Sequence, residues 1–297
     1  MISKYILGVK VTSEVTMKTA IEEIERLLKT RTFNLVCTTN PEFIIDAQGD
    51  TDFKAIINNA KLSLPDGVGI LFAHKYYDEL ERFAKYKHTI MYPIIALYSG
   101  ASIVLRYFAG RLKVGEVVTG VSLVDNYCNV ANEKGYNVFL LGGWPKDKFG
   151  KSLSGEHDIA LDTSNVLLKK YPKLKIVGAT SQFSYLSTDD EASVTYIKEC
   201  MKKNNINVLD VILVAYGHKK QERWLVRNGS KIPVSVGIGV GGTFDYITGN
   251  QPLPNEYIKS WHLEWLYRLV TQPWRIHRII KAFPIFPLKV FFNSIRS

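Results

Sequence analysis

The sequence predicts an α/β protein whose mostly parallel sheet carries helices on both faces. Three observations predict it. Short apolar runs alternate with segments of helical spacing along most of the chain. Several of these runs end in polar or glycine-rich loops, where the chemistry of such sheets is placed. The 297 residues are 46% hydrophobic and 22% charged, a globular composition with chain enough for a sizeable core.

The elements follow in order. YILGVKV (5–11) reads as a strand, and MKTAIEEIERLLKT (17–30) places Ile21, Ile24, Leu27 and Leu28 at helical spacing. FNLVCTT (33–39) is a short apolar strand ending in polar residues. Pro41 then opens a helix, and a second runs through 52–60. KLSLPDG (61–67) is a strand ending in a turn. Further strands are expected at 136–143, 173–179, 208–217 and 233–242, with helices at 119–134, 160–171, 188–204 and 219–228 between them. The strand ends bring forward candidate ligand-binding residues: Thr38 and Asn40, Gly142 and Gly143, the Gly217 loop with Gln221 and Glu222, and Gly241, Gly242 and Asp245.

Two stretches break the alternation. Residues 90–109 form an apolar segment whose one charge is Arg106, flanked by Lys85, Lys87, Arg111 and Lys113. Packed helices, a membrane contact and a full span all fit that pattern. The second stretch is the tail. From Tyr257 onward there are seven Lys/Arg against one acid, Glu264, and three of the five tryptophans. Ile276, Ile279, Ile280 and Phe283 fall on one helical row beside Arg275, Arg278 and Lys281, with a stop expected near Pro284. Such a basic amphipathic helix suits an anionic membrane surface or a phosphate-bearing ligand, with docking on the core as the alternative. No nucleic-acid motif accompanies the charge, so no nucleic-acid partner is expected.

The cysteines Cys37, Cys128 and Cys200 have neither disulfide nor metal spacing. With an N-terminal apolar run too short for a signal peptide, a cytoplasmic protein is expected. GIGVGG (237–242) matches a dinucleotide fingerprint, but turn-rich sequence follows it and no acid lies at the required distance. Asp50-Thr51-Asp52 has the form of a metal-binding pair, yet its place between two helices suits an N-cap, and no metal is expected. Asp66, between Pro65 and Gly67 at a strand end, is either a turn aspartate or a carboxylate able to take a proton from a hydroxyl. GHKKQERW (217–224) sets donors and a carboxylate at a helix start, a place able to hold a phosphate or uracil.

An ordered set of segments resembles the WecG/TagA/CpsF glycosyltransferase family: TTNPEF (38–43), LPDGVGI (64–70), VFLLGG (138–143), YPKLKIVG (171–178), the 217–224 loop, GVGGTFDYITG (239–249) and LEWLYRLVTQPWRIHR (263–278). The resemblance covers most of residues 1–280. It implies a Rossmann-like domain over 1–255, with an apolar insertion at about 72–116, and a membrane-associating helical appendage over 256–297. It implies inverting transfer of N-acetylmannosamine or its uronic acid from a UDP-sugar donor to a polyprenyl-diphosphate-linked N-acetylglucosamine acceptor, without cofactor or metal. By resemblance Asp66 is the general base, Thr38 and Asn40 belong to the pocket, and Arg268, Arg275 and Arg278 serve the diphosphate. Val117, Lys219 and Pro252 depart from the family pattern, which bears on the sugar more than on the reaction. The expected location is the inner face of the cell membrane, with a homo-oligomer among the states allowed. A non-catalytic binder of nucleotide-sugar or lipid and a dinucleotide-dependent oxidoreductase remain as rival readings.

Overall fold

The computed structural model describes all residues except 31, 144–157, 253–257, 259–263, 273–275 and 297, and the side chains of 264–266 and 268. The chain opens with a hairpin, β1 (Ile2–Ile6) and β2 (Val9–Ser13), that forms its own two-stranded antiparallel sheet. The single strand expected over 5–11 is therefore two. Leu7 and Gly8, at φ 51° and 73°, make the tight turn that right-twisted antiparallel strands favour.

The helix α1 (Met17–Leu28) starts on a Thr16 capping box and leads to β3 (Asn34–Thr39). Next come α2 (Pro41–Asp46), α3 (Thr51–Asn59), β4 (Leu62–Pro65), α4 (Val68–Glu81) and α5 (Tyr92–Phe108). The alternation resumes with α6 (Gly120–Lys134), β5 (Asn137–Gly142), α7 (Ile159–Lys170), β6 (Lys175–Thr180), α8 (Asp190–Lys203), β7 (Leu209–Ala215), α9 (Lys220–Asn228) and β8 (Val234–Gly239). The short α10 (Thr243–Ile247), α11 (Glu264–Thr271), α12 (Ile276–Ile280) and α13 (Phe286–Arg296) complete the described elements.

The main sheet has six strands in the order β4-β3-β8-β7-β5-β6, and every pairing is parallel. The strand order reverses twice, between β3 and β8 and between β5 and β7, and crevices open at such points beyond the carboxyl ends of the strands. Successive strand residues alternate between two cores, as a period of two requires. Val36, Leu140, Leu213 and Val236 pack with α1, α6 and α7. Leu35, Cys37, Leu141 and Ile212 pack with α8 and α9. A third cluster joins the hairpin to α2, α3, α4, α5 and the tail helix α13, through Phe43, Phe53, Tyr76, Ile103, Phe286 and Val290.

The tail departs from the expected single helix. Past α12 the helix breaks at Phe283, whose backbone is extended at φ −159° and ψ 116°, so the stop expected near Pro284 is present, and a second helix, α13, begins beyond it. Phe286 and Val290 are 3% and 4% exposed, and the Tyr76 and Ser294 hydroxyls lie 2.8 Å apart. That burial seats the second helix on the core. Residues 90–109 hold α5, one face of which, Tyr92, Ala96, Ser99 and Ile103, is buried against α4 and α13. Among the described residues no helix is long and apolar enough to cross a membrane.

Candidate active site

Parallel register builds the site. Thr38 pairs with Leu64 and Thr39 with Pro65, so the chain leaves β3 and β4 side by side. The ladder continues one step further, with the Asp66 N–H donating to the Thr39 carbonyl at 2.9 Å. Asp66 thus stands half-buried on the carboxyl edge, next to the end of β3, which carries Thr38, and to Asn40 just beyond it. The turn into α4 passes through Gly67 at φ 123°, a conformation that other residues adopt only with strain.

The neighbours of Asp66 are held by local chemistry. The Thr38 hydroxyl donates to the Gly239 carbonyl at 3.1 Å and ties β3 to β8 across the first reversal. The Thr39 and Ser63 hydroxyls meet at 2.7 Å. Asn40 caps α2, its Oδ1 accepting from the Phe43 N–H at 3.0 Å. Asp50 caps α3 in the same way, with Phe53 as donor, and also takes Arg223 at 2.8 Å and Lys219 at 3.3 Å.

Gly142 and Gly143, at φ 86° and 88°, end β5 beside the second reversal. A Cβ on Gly142 would lie 2.7 Å from the Tyr216 ring. Gly217 leaves β7, and Gly241 and Gly242 leave β8. Gln221 joins these two loops: its Oε1 accepts from the Gly217 N–H at 3.1 Å and from the Gly241 N–H at 2.8 Å. Its Nε2 donates to Glu222 Oε1 at 2.7 Å. Gln221 and Glu222 are buried, and through these bonds they support the glycine loops. Burial pushes the Glu222 carboxyl up to about 7, against the hydrogen bond from Gln221 that favours its ionised form. Asp245, also expected at the ligand, is buried in α10.

Three acids of α2 and α3 collect the nearby cations. Arg278 Nε donates to Glu42 at 2.6 Å, and Lys281 donates to Asp46 at 2.6 Å. His218, the residue after Gly217, meets the other Asp46 oxygen at 2.8 Å, its ring set edge-on to Phe43. Burial alone would raise the Asp46 carboxyl; the bonds from His218 and Lys281 prevail and hold it well below the usual carboxylate range. Of the three arginines expected at the diphosphate, Arg278 is bound to Glu42, two residues after Asn40. Arg275 and the side chain of Arg268 lie outside the described residues. Glu42, Asp46 and His218 were not singled out by the sequence; the i, i+4 spacing of the two acids on a helix starting at Asn40 is the signal that could have found them.

Glu42, Asp46 and His218 also offer ligand atoms within 4.8 Å of one another. Each carboxylate there already carries a cation, Arg278 or Lys281, so the set is neutralised by the chain itself. A cavity of about 500 Å³ lies beside this network, lined by Asp50, Tyr185, His218, Lys219, Arg223 and Arg227 among others. Asp66, Thr38 and Asn40 do not line it.

Comparison with known proteins adds to this geometry. The family model described as glycosyl transferase WecG/TagA/CpsF family matches residues 4–86 and 79–297. The N-acetylglucosaminyldiphosphoundecaprenol N-acetyl-beta-D-mannosaminyltransferase of Bacillus subtilis (strain 168) is 24% identical over 256 residues, 86% of this chain and 78% of the relative. A protein of the same name from Staphylococcus aureus (strain NCTC 8325 / PS 47) is 24% identical over 287 residues, 96% of this chain and 91% of its own length.

Proposed function

The chain belongs to the WecG/TagA/CpsF glycosyltransferase family, and on that premise we propose that it moves N-acetylmannosamine from a UDP-sugar to N-acetylglucosamine on undecaprenyl diphosphate. The names of its relatives support both the sugar and the acceptor. The lipid acceptor supports a protein working at the inner face of the membrane. The observation that carries the site is the position of Asp66 on the carboxyl edge, one ladder step beyond Thr39 and beside Thr38 and Asn40 at the end of β3.

Asp66 acts as the general base. It takes the proton of the acceptor hydroxyl as that oxygen bonds to the anomeric carbon. The bond from that carbon to the diphosphate oxygen breaks, and UDP leaves with the electron pair. A single attack on the face opposite the leaving diphosphate inverts the anomeric carbon. The leaving diphosphate gathers negative charge, and cations set in place beforehand stabilise it most. Arg278, held by Glu42 and partly exposed, is the described tail residue suited to that role; Arg268 and Arg275 are assigned to it by family resemblance. The glycine loops let the donor approach the backbone, with Gln221 behind them keeping their shape.

Two measurements test this reading. Asp66→Asn should retain UDP binding while transfer to a lipid-diphosphate-N-acetylglucosamine analogue falls by about 10²–10⁴-fold. Transfer within about threefold of wild type would move the base elsewhere. Activity should also survive excess EDTA, because the one carboxylate–histidine group among the described residues is already neutralised by Arg278 and Lys281. Loss with EDTA and rescue by magnesium or manganese would overturn that part.

A further inference from the structure

The helix α5 shows two unlike faces. Tyr92, Ala96, Ser99 and Ile103 are buried, packed towards α4 and α13. On the other side Ile94, Leu97, Tyr98, Leu105 and Phe108 are between 61% and 71% exposed, and Ile90 and Met91 extend the row beyond the helix start. A helix face turned to water ordinarily carries charge; this one carries none. The one charged residue of α5, Arg106, turns back to Glu79 at 2.8 Å.

The surroundings of that face are one-sided in charge. From Arg82 to Gly115 the chain has six Lys/Arg and neither Asp nor Glu. Arg82 and Lys85 stand exposed before α5, and Arg111 and Lys113 stand exposed after it. Together with the tail, this segment accounts for more than the whole net charge of +10, so the rest of the molecule is slightly acidic. The tail adjoins it: α13 packs against α5 and leaves Leu288, Phe292, Lys289 and Arg296 exposed.

We propose that the exposed face of α5 docks on an anionic lipid bilayer, lying in the interface with its apolar row in the acyl boundary and its basic ends among the headgroups. At 17 residues the helix is about 25 Å long, short of a hydrocarbon core of about 30 Å, and its second face is committed to protein. It therefore lies flat and does not span. A second copy of the chain fits less well, since a twofold contact on this face would bring two sets of unpaired Lys and Arg together. Anionic lipid supplies the opposite charge, about 1 kcal/mol for each basic residue near the surface.

The position of the face relative to Asp66 gives it a use. Phe72, in the first turns of α4, meets Tyr107 edge-on at 4.9 Å, so the C-terminal end of α5 reaches the start of α4. The chain then returns to the catalytic edge, where the Val118 N–H donates to the Pro65 carbonyl at 2.9 Å. A bilayer against α5 would bring that edge to the headgroup layer, where a diphosphate-linked sugar lies. Only this last step rests on the proposed acceptor; the docking itself rests on exposure and charge.

The test is co-sedimentation with vesicles of phosphatidylcholine and phosphatidylglycerol in equal parts, against phosphatidylcholine alone. Wild type should bind the anionic vesicles and lose binding as salt is raised. Leu97→Asp with Leu105→Asp changes two exposed residues and should weaken binding on the order of 100-fold. Lys85→Ala with Arg111→Ala should weaken it about 30-fold, on anionic vesicles only. Turnover of a short-chain, water-soluble acceptor by the aspartate pair should equal wild type. Undiminished vesicle binding by both pairs would overturn the proposal. So would light scattering that shows wild type as an oligomer and the aspartate pair as a monomer with vesicle binding intact. Vesicle binding without sugar transfer by wild type would leave the surface standing and remove the proposed reaction instead.

Discussion

Gln221 and Glu222 show how much one pair of adjacent side chains can hold. Gln221 accepts from two glycine loops at once, and Glu222 fixes which end of its amide faces them. The arrangement has a cost that depends on pH. The Glu222 carboxyl is pushed up to about 7 in the folded protein against 4.5 ordinarily, so the unfolded chain releases this proton first. The folded state binds more protons between those values, and stability falls as pH rises through them, then stays level. A shift of this size corresponds to roughly 3 kcal/mol. Glu222→Gln keeps an acceptor for Gln221 and has no proton to lose. Its unfolding free energy in urea should therefore change less than that of wild type between about pH 5 and about pH 8. An equal change in both proteins would place the pH dependence in another group.

Among the elements, α2 has six residues and three duties. Its N-cap, Asn40, closes the pocket loop; its apolar side supplies Phe43 and Ile44 to the third core; its acids receive the tail. The tail was legible as basic and amphipathic; of its apolar row, Ile276, Ile280 and Phe283 are exposed and Ile279 is half-buried. The sequence did not show that Arg278 and Lys281 are drawn to Glu42 and Asp46, because each pair is separated by more than 200 residues of chain. Asp46→Asn keeps the shape and removes the charge that Lys281 and His218 meet. A loss of about 1 kcal/mol at this partly exposed pair raises the population of the undocked tail about fivefold. Limited proteolysis within 276–296 should speed up by that factor while the melting temperature of the main domain barely moves.

Over the whole molecule, ligand linkage separates the readings that share this fold. A protein that binds UDP at the carboxyl edge gains about 2.7 kcal/mol when UDP stands at about 100 times its Kd. The melting temperature should rise by several degrees, and NAD at the same concentration should leave it unchanged. The GIGVGG segment ends β8 and leads into α10, a helix of five residues, whereas a dinucleotide fingerprint opens a longer one. A rise with NAD and none with UDP would return the oxidoreductase reading.

The sequence by itself determined the alternation of strands and helices, the polar ends of the strands, and the presence of Asp66, Thr38 and Asn40 on such ends. These are local properties: a period of two or of 3.6, a capping residue, a turn after a proline. It also set apart the 90–109 segment and the tail, whose composition departs from the rest. Which strands lie together was decided only in three dimensions. The insertion of β8 between β3 and β7 gives Thr38 its bond to Gly239 and sets Gln221 between two glycine loops. The split of residues 5–11 into a hairpin, the burial of one face of α5 and the seating of α13 were settled in the same way. Sequence pattern records that a surface must be buried or a charge matched; the surface or the charge that meets it comes from another part of the chain, and only packing selects it.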